Sequence, residues 1–179
     1  MNESYRGKLV ILFIFGLSAV MGGYAWWHHF NQGRKCLELW GGEAAALIRY
    51  APVVEAMRFG GASEKSGNVL QIAGKGIAIE QHVDVSGTPG LVHARHALIE
   101  DASFLWKQPV PTESVEWTFA LRFVDGEQRV TIAFDEIAAR VHFVEAGKDG
   151  ILTQTLRDAY QQRIPAWIEA SNSVLSTEH

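Results

Sequence analysis

The longest hydrophobic stretch of this chain lies near its start and contains no charged side chain. It occupies residues 9–27, from Leu9 to Trp27, and reads LVILFIFGLSAVMGGYAWW. A helix that rises about 1.5 Å per residue would be roughly 28 Å long over this stretch, which matches the ~30 Å hydrocarbon core of a bilayer. The pattern predicts a transmembrane helix whose partner is the lipid bilayer.

Cations flank this stretch on both sides, as they do at membrane interfaces. Arg6 and Lys8 precede it, and Arg34 and Lys35 follow it, so the two flanks carry equal numbers of Lys and Arg. Long domains cross the membrane largely regardless of their own charge, and Lys8 lies directly against the apolar run. We therefore expect a cytoplasmic amino terminus and an extracytoplasmic carboxyl-terminal domain.

A cleaved signal peptide is the alternative to a retained anchor. Cleavage after Ala25 would leave two tryptophans and two histidines at the new amino terminus. The apolar run is also longer than the ~7 to 15 residues of a typical signal-peptide core. We expect the helix to be retained, and we divide the chain into a short tail (1–8), a transmembrane helix (9–27), a juxtamembrane connector (28–40), one domain (41–170) and a frayed tail (171–179).

Alternation of large apolar and polar residues is clearest in the second half of the chain. Asp125 and Gly126 form a turn signal between two such runs, which predicts a β-hairpin. The inward positions are expected to be Val115, Trp117, Phe119, Leu121 and Phe123 in the first strand and Val130, Ile132 and Phe134 in the second. The first of these strands is therefore the expected centre of the core.

Earlier in the chain, residues 77–85 predict a half-buried strand that is bounded by turn-forming residues at 86–90. Its inward face is expected to carry Ile77, Ile79, Val83 and Val85, and its outward face Glu80, His82 and Asp84. Residues 44–51 predict a helix that ends before Pro52. Residues 53–59 fit either a strand or a helical turn, and residues 91–99 predict a short helix.

The carboxyl-terminal part continues with a predicted strand at 140–144 and a turn at 147–150. An amphipathic helix follows, which Pro165 is expected to kink or restart. Strands and helices do not alternate regularly along the chain. This order predicts an α+β domain with an antiparallel sheet and a few helices, including one at the carboxyl terminus.

Charge narrows the choice of partners for the domain. Residues 36–179 carry 12 Lys and Arg against 19 Asp and Glu, a net charge of −7. Nucleic acids require a basic surface, so we do not expect a nucleic-acid partner. The single cysteine, Cys36, allows no internal disulfide and no thiolate metal cluster. Cys36 could be acylated or could cross-link two chains, but we favour the simpler interpretation that this thiol has no special role.

Histidines supply the candidate chemistry. His93 and His96 lie three residues apart on a predicted helix, and Glu100 follows four residues after His96. With His82 from the preceding strand they could form a zinc site, although their spacing is not that of an HExxH motif. Glu80, His82 and Asp84 could also serve in acid–base catalysis. In both cases solvated or partly packed side chains are the simpler interpretation, which we favour, and no motif for a cofactor is present.

Two segments resemble a known group of proteins. They read SGTPGLVHARHALIEDASFLW (86–106) and RVTIAFDEIAARVHF (129–143). They are similar to segments in a family of uncharacterised single-pass bacterial membrane proteins. The resemblance covers about a third of the chain and implies a bacterial membrane-anchored protein, with no implied activity and no functional residue to transfer.

These patterns lead to two hypotheses of function. The first is a membrane-anchored, non-catalytic binding or interaction module at the cell envelope, which meets a protein, peptide or envelope component through its sheet face or an edge strand. The alternative is a membrane-tethered metal-dependent or acid–base enzyme that uses His82, His93 and His96.

Overall fold

The structure is a computed structural model that describes residues 3–31, 34–60, 68–110, 115–135 and 139–177. The chain divides into two units, Met1–Arg34 and Lys35–His179. The first contains a single long helix and the second contains a sheet with its packed helices.

Helix α1 (Glu3–Asn31) is the main element of the first unit. Its segment Val10–Trp27 has a mean hydropathy of 1.7, and none of it is buried. Among the described residues, this is the one helix long and apolar enough to cross a membrane. The helix extends beyond the predicted bounds of 9–27 at both ends, because its flanks contain no proline to stop it.

The second unit is an α+β domain, as the sequence predicts. Its helices are α2 (Arg34–Trp40), α3 (Gly42–Tyr50), α4 (Leu91–Leu98) and α5 (Gln154–Thr177), with a 3₁₀ turn at Asp101–Ser103. Its strands are β1 (Val53–Phe59), β2 (Val69–Ile72), β3 (Lys75–Asp84), β4 (Trp117–Asp125), β5 (Gln128–Asp135), β6 (Arg140–Phe143) and β7 (Lys148–Ile151). They form one antiparallel sheet in the order β2-β3-β1-β4-β5-β6-β7.

The predicted hairpin between β4 and β5 is confirmed. Asp125 pairs with Gln128, so the turn is two residues long. Gly126 has a φ of 58°, a left-handed conformation that glycine adopts without steric cost. This turn sets the register of the two central strands.

Helices cover one face of the sheet, which we call the first face. Phe119, Leu121 and Phe123 of β4 lie there against the buried sides of the helices. Two buried aromatic side chains also satisfy helix carbonyls: Trp40 Nε1 donates to Leu98 O at 2.7 Å, and the Tyr160 hydroxyl donates to Ala94 O at 2.7 Å. The main hydrophobic core therefore forms between the first face and the helices.

The opposite face, which we call the second face, is buried as well. Its core contains Met57, Phe59, Ile72, Trp117, Ala120 and Ala133. Ile72 belongs to the edge strand β2, whereas Ala133 lies in β5, four strands away in the sheet order. The sheet is curled, and the β2–β3 hairpin contributes Leu70 and Ile77 to this second core.

Two β-bulges correct the faces predicted from simple alternation. Trp117 pairs with Asp135 and Phe119 with Phe134, so Thr118 is an extra residue in β4. Trp117 consequently belongs to the second core, and the prediction that it shares a face with Phe119 was wrong.

The other bulge lies at Glu80 in β3. Arg58 pairs with Gln81 and Phe59 with Ile79, which leaves Glu80 as the extra residue. Ile77 and Ile79 therefore pack on the second core while Val83 and Val85 pack on the first. The single inward face predicted for this strand was wrong for the same physical reason, because one inserted residue reverses the side of every residue beyond it.

Other boundaries also differ from the predictions. The second half of the predicted connector forms α2, where Cys36, Leu39 and Trp40 are buried. Part of the predicted turn at 147–150 forms β7, since the turn closes earlier, at Gly147. Helix α5 does not restart at Pro165, and it extends to Thr177, past the predicted start of the tail at 171.

Packing explains why Pro165 does not end α5. A proline inside a helix costs about 3 kcal/mol. On either side of it, Ile164, Trp167 and Ile168 are buried in the first core, and each large apolar side chain gains roughly 1.5 to 3 kcal/mol on burial. The tertiary contacts outweigh the local cost.

Burial of both faces can be tested with two truncations. Phe119→Ala on the first face should lower the free energy of unfolding by about 3 to 5 kcal/mol, and Met57→Ala on the second face by about 2 to 5 kcal/mol. Thr118→Ala at the half-buried bulge should cost roughly 1 kcal/mol or less. Chemical denaturation of the full chain measures all three, and a Met57→Ala value no larger than that of Thr118→Ala would contradict a second core.

Candidate binding face

Polar side chains interrupt the second core in a row that crosses three strands. Glu55 of β1 pairs in register with Arg122 of β4, and Arg122 pairs with Thr131 of β5. All three lie on the second face, since Glu55 is two residues from Met57 and strand side chains alternate. The backbone register therefore brings together groups that are far apart in the sequence.

Glu55 is the centre of the first polar group on this face. One of its carboxylate oxygens, Oε2, lies 3.0 Å from His82 Nε2 and 3.6 Å from Arg122 Nη1. Arg122 Nε also donates to Thr131 Oγ1 at 3.3 Å. The exposed fractions of the three charged side chains are 26% for Glu55, 36% for His82 and 20% for Arg122, so solvent or a partner can reach them.

Asp149 is the centre of a second, more enclosed polar group. It accepts two hydrogen bonds from Arg140, at 2.9 and 2.7 Å, in a bidentate pair. His142 Nδ1 lies 2.8 Å from Asp149 Oδ1, and the His142 side chain is only 5% exposed. Arg140 and His142 both flank the Trp117 ring, each 5.6 Å from its centroid. The bulge at Thr118 is therefore what brings Trp117 into this group.

The charge state of Asp149 follows from these contacts. Desolvation by burial would raise the pKa of this carboxyl, but hydrogen bonds from Arg140 and His142, together with their charges, outweigh the desolvation and hold the pKa below its usual range. Charge-assisted bidentate pairs are among the strongest hydrogen bonds in proteins. Asp149 is thus a fixed anion in the sheet.

The structure separates the three histidines that the sequence suggested as metal ligands. His82 pairs in register with Met57 on the second face, whereas α4, which carries His93 and His96, packs on the first face through Leu91, Ala94 and Leu98. The sheet lies between them. His96 instead pairs with Glu100 at 2.6 Å on the exposed side of α4. In the part of the chain that the structure describes, no group of three or more His, Cys, Asp or Glu could hold a metal ion.

The predicted outward positions of β3 are solvent-exposed, as expected for Glu80, His82 and Asp84. The bulge displaces Glu80 from the alternation that His82 and Asp84 share. Asp84 instead orders the following turn: its Oδ1 accepts hydrogen bonds from Ser86 N at 2.8 Å and from Ser86 Oγ at 2.5 Å.

Cys36 is a core residue, with 1% of its surface exposed. Burial raises the pKa of its thiol, and the neighbouring Asp101 carboxylate raises it further. Asp101 Oδ1 also accepts the Cys36 backbone N–H at 2.8 Å, at the start of α2. A buried, protonated thiol suits neither acylation nor cross-linking between chains.

The sequence analysis did not identify the Asp149 group, although the sequence pattern indicated the position of two of its members. Arg140 and His142 alternate with Val141 and Phe143 in a predicted strand, which puts the Arg140 and His142 side chains on one face. Their partner Asp149 lay in a predicted turn and therefore had no assigned direction. Glu55 was missed because its strand was ambiguous.

Comparison with known proteins adds no further constraint on these residues. No protein-family model, no curated protein and no solved structure matches this chain.

Replacing Asp149 tests the enclosed group. Asp149→Asn should lower the free energy of unfolding at pH 7 by roughly 1.5 to 3 kcal/mol, the range for hydrogen bonds to charged groups. The pKa of Asp149 is lower in the folded than in the unfolded state, where it is about 3.9. Its stabilisation is therefore present above about pH 4 and is lost as the pH falls through the folded value.

Denaturation curves between pH 7 and pH 2.5 measure this effect. The difference in stability between the parent chain and Asp149→Asn should shrink as the solution is acidified. Asp125→Asn, in the exposed turn between β4 and β5, is the matched control and should change stability by about 0.5 kcal/mol or less at pH 7. A constant difference across the acidic range would contradict the role given to the Asp149 charge.

Proposed function

We propose that this chain is a single-pass membrane protein of the bacterial cell envelope, in which α1 is the anchor and residues 35–179 form an extracytoplasmic, non-catalytic binding module. The exposed apolar surface of α1 carries the first part of the proposal. Leu12, Phe13 and Phe15 are 73%, 70% and 74% exposed. Exposed apolar surface costs about 25 cal/mol per Å² in water, and a bilayer removes this cost.

The length and the flanks of α1 support the same assignment. The 18-residue segment Val10–Trp27 spans about 27 Å as a helix, close to the thickness of a hydrocarbon core. Lys8 precedes it and Trp26 and Trp27 end it, which are residue types favoured at the two interfaces. The resemblance of residues 86–106 and 129–143 to single-pass bacterial proteins also supports a bacterial membrane protein.

Fusions to the carboxyl terminus of the complete chain test the anchor and its orientation. We expect high alkaline phosphatase activity and no green fluorescence when the two reporters are compared in bacterial cells, because the domain would lie outside the cytoplasm. The opposite pair of signals would reverse the orientation. Intact-mass measurement of the extracted protein should also find the amino terminus uncleaved, and a mature terminus near Trp26 would contradict the anchor.

The Glu55 group carries the second part of the proposal. Its three side chains are charged or titratable, partly exposed and held in place by one another, and they border a hydrophobic core. Partly exposed polar side chains that are already ordered are typical of the rim of a protein interface. We infer that a protein or peptide partner contacts the second face at Glu55, His82 and Arg122.

Site-specific photo-cross-linking in intact cells tests this surface. A photoreactive residue at His82 should give a discrete cross-linked product, whereas the same residue at Val92 should not. Val92 is the control because it is 75% exposed but lies on α4, which packs on the first face. Glu55→Gln, which weakens the ordering of His82, should reduce the product severalfold. Equal products from both positions would contradict a specific interface on the second face.

A further inference from the structure

A groove of about 520 Å³ on the domain is lined by lysines from three separate parts of the chain. Lys35 belongs to α2, Lys107 follows the 3₁₀ turn, and Lys148 begins β7. Trp106 lines the same groove, together with the acidic residues Glu38 and Asp149. The folded domain thus collects cations and an aromatic ring that the sequence keeps far apart.

The lining is held in place by specific contacts. The Lys35 ammonium lies 5.9 Å from the centroid of the Trp106 ring, and Trp106 Nε1 donates to Asp101 O at 2.8 Å. Lys148 Nζ donates to Glu38 O at 2.8 Å. These contacts fix one wall of the groove, so its side chains lose little conformational entropy when a ligand binds.

The side chains that line the groove carry a net positive charge, although the net charge of the whole domain is negative. Of its two carboxylates, Asp149 is already neutralised by the bidentate pair with Arg140, which leaves Glu38 against the three lysines. Residues 36–179 carry a net charge of −7, whereas the lining of the groove has three lysines against Glu38 once Asp149 is paired with Arg140. Its chemistry suits an anion, and Trp106 adds a surface for apolar or interfacial contact.

In the sequence, one residue of this groove follows the hydrophobic helix by only a few positions. Lys35 follows Trp27, the last residue of the apolar segment, by eight positions. Even a fully extended chain reaches only about 28 Å over eight residues. Lysine and tryptophan are the residue types that lie at membrane interfaces.

We propose that this groove binds the phosphate of an anionic phospholipid headgroup, with Lys35, Lys107 and Lys148 as its cationic ligands and Trp106 at the interface. The inference rests on the proposed membrane anchor. With such a site, the tethered domain would also distinguish anionic from zwitterionic lipids. Each lysine close to an anionic surface increases the binding constant for that surface roughly fivefold. The three lysines together therefore favour one orientation of the domain on the bilayer.

Hydrogen exchange of the full chain in lipid nanodiscs tests the groove. Discs of purely zwitterionic phosphatidylcholine are compared with discs that contain one third phosphatidylglycerol. We expect at least about threefold slower exchange of backbone amides at 35–40, 104–108 and 145–149 in the anionic discs. The double variant Lys107→Gln, Lys148→Gln should lose this protection, and the single variant Lys107→Gln, which leaves the Lys148 contact with Glu38 intact, should lose part of it.

The control is Lys75→Gln, Arg129→Gln, which removes two exposed cations outside the groove and should keep the protection. Equal exchange in both kinds of disc would overturn the proposal, as would the same protection in zwitterionic discs when inorganic phosphate is added, because the ligand would then be any phosphate. Failure of the anchor is distinguishable, since the chain would then not co-elute with either kind of disc.

Discussion

Burial of both faces of the sheet is the constraint on which the rest of this domain depends. The helices pack on one side of β4, and the curled sheet encloses the other side around Met57, Ala120 and Ala133. A strand buried on both faces has no solvent side to accept a misplaced residue, so its register is strongly specified. Ala120 and Ala133 belong to the same core as the side chains of the β2–β3 hairpin.

Because the second face is largely buried, its charged side chains need partners. A buried or half-buried charge is costly unless it is paired and hydrogen-bonded. Glu55 and Asp149 each meet two cationic or titratable partners from neighbouring strands. The same pairing that makes burial possible also holds the side chains in fixed positions. Groups that are already ordered lose little entropy when a partner binds, which is why we propose the more exposed group around Glu55 as the binding surface.

The two units of the chain differ in the exposure of their apolar side chains. In the domain, residues such as Phe123 and Ile168 are fully buried, whereas Phe15 on α1 is 74% exposed. Within a single chain, this contrast indicates two different environments for apolar surface. If α1 is the proposed anchor, a bilayer would remove its apolar surface from water, as the fold does for the apolar surface of the domain.

The sequence by itself determined the features that depend on local physics. The apolar run of α1, the helices α3, α4 and α5, and the hairpin at Gly126 follow from hydrophobic period, helix propensity and turn chemistry, which act between near neighbours. Only the tertiary structure decided which face each strand residue occupies, because single extra residues at Thr118 and Glu80 reverse the alternation. It also decided the polar partners: His142 meets Asp149, and His82 meets Glu55 rather than His93, because register across the sheet, and not spacing along the chain, sets those distances.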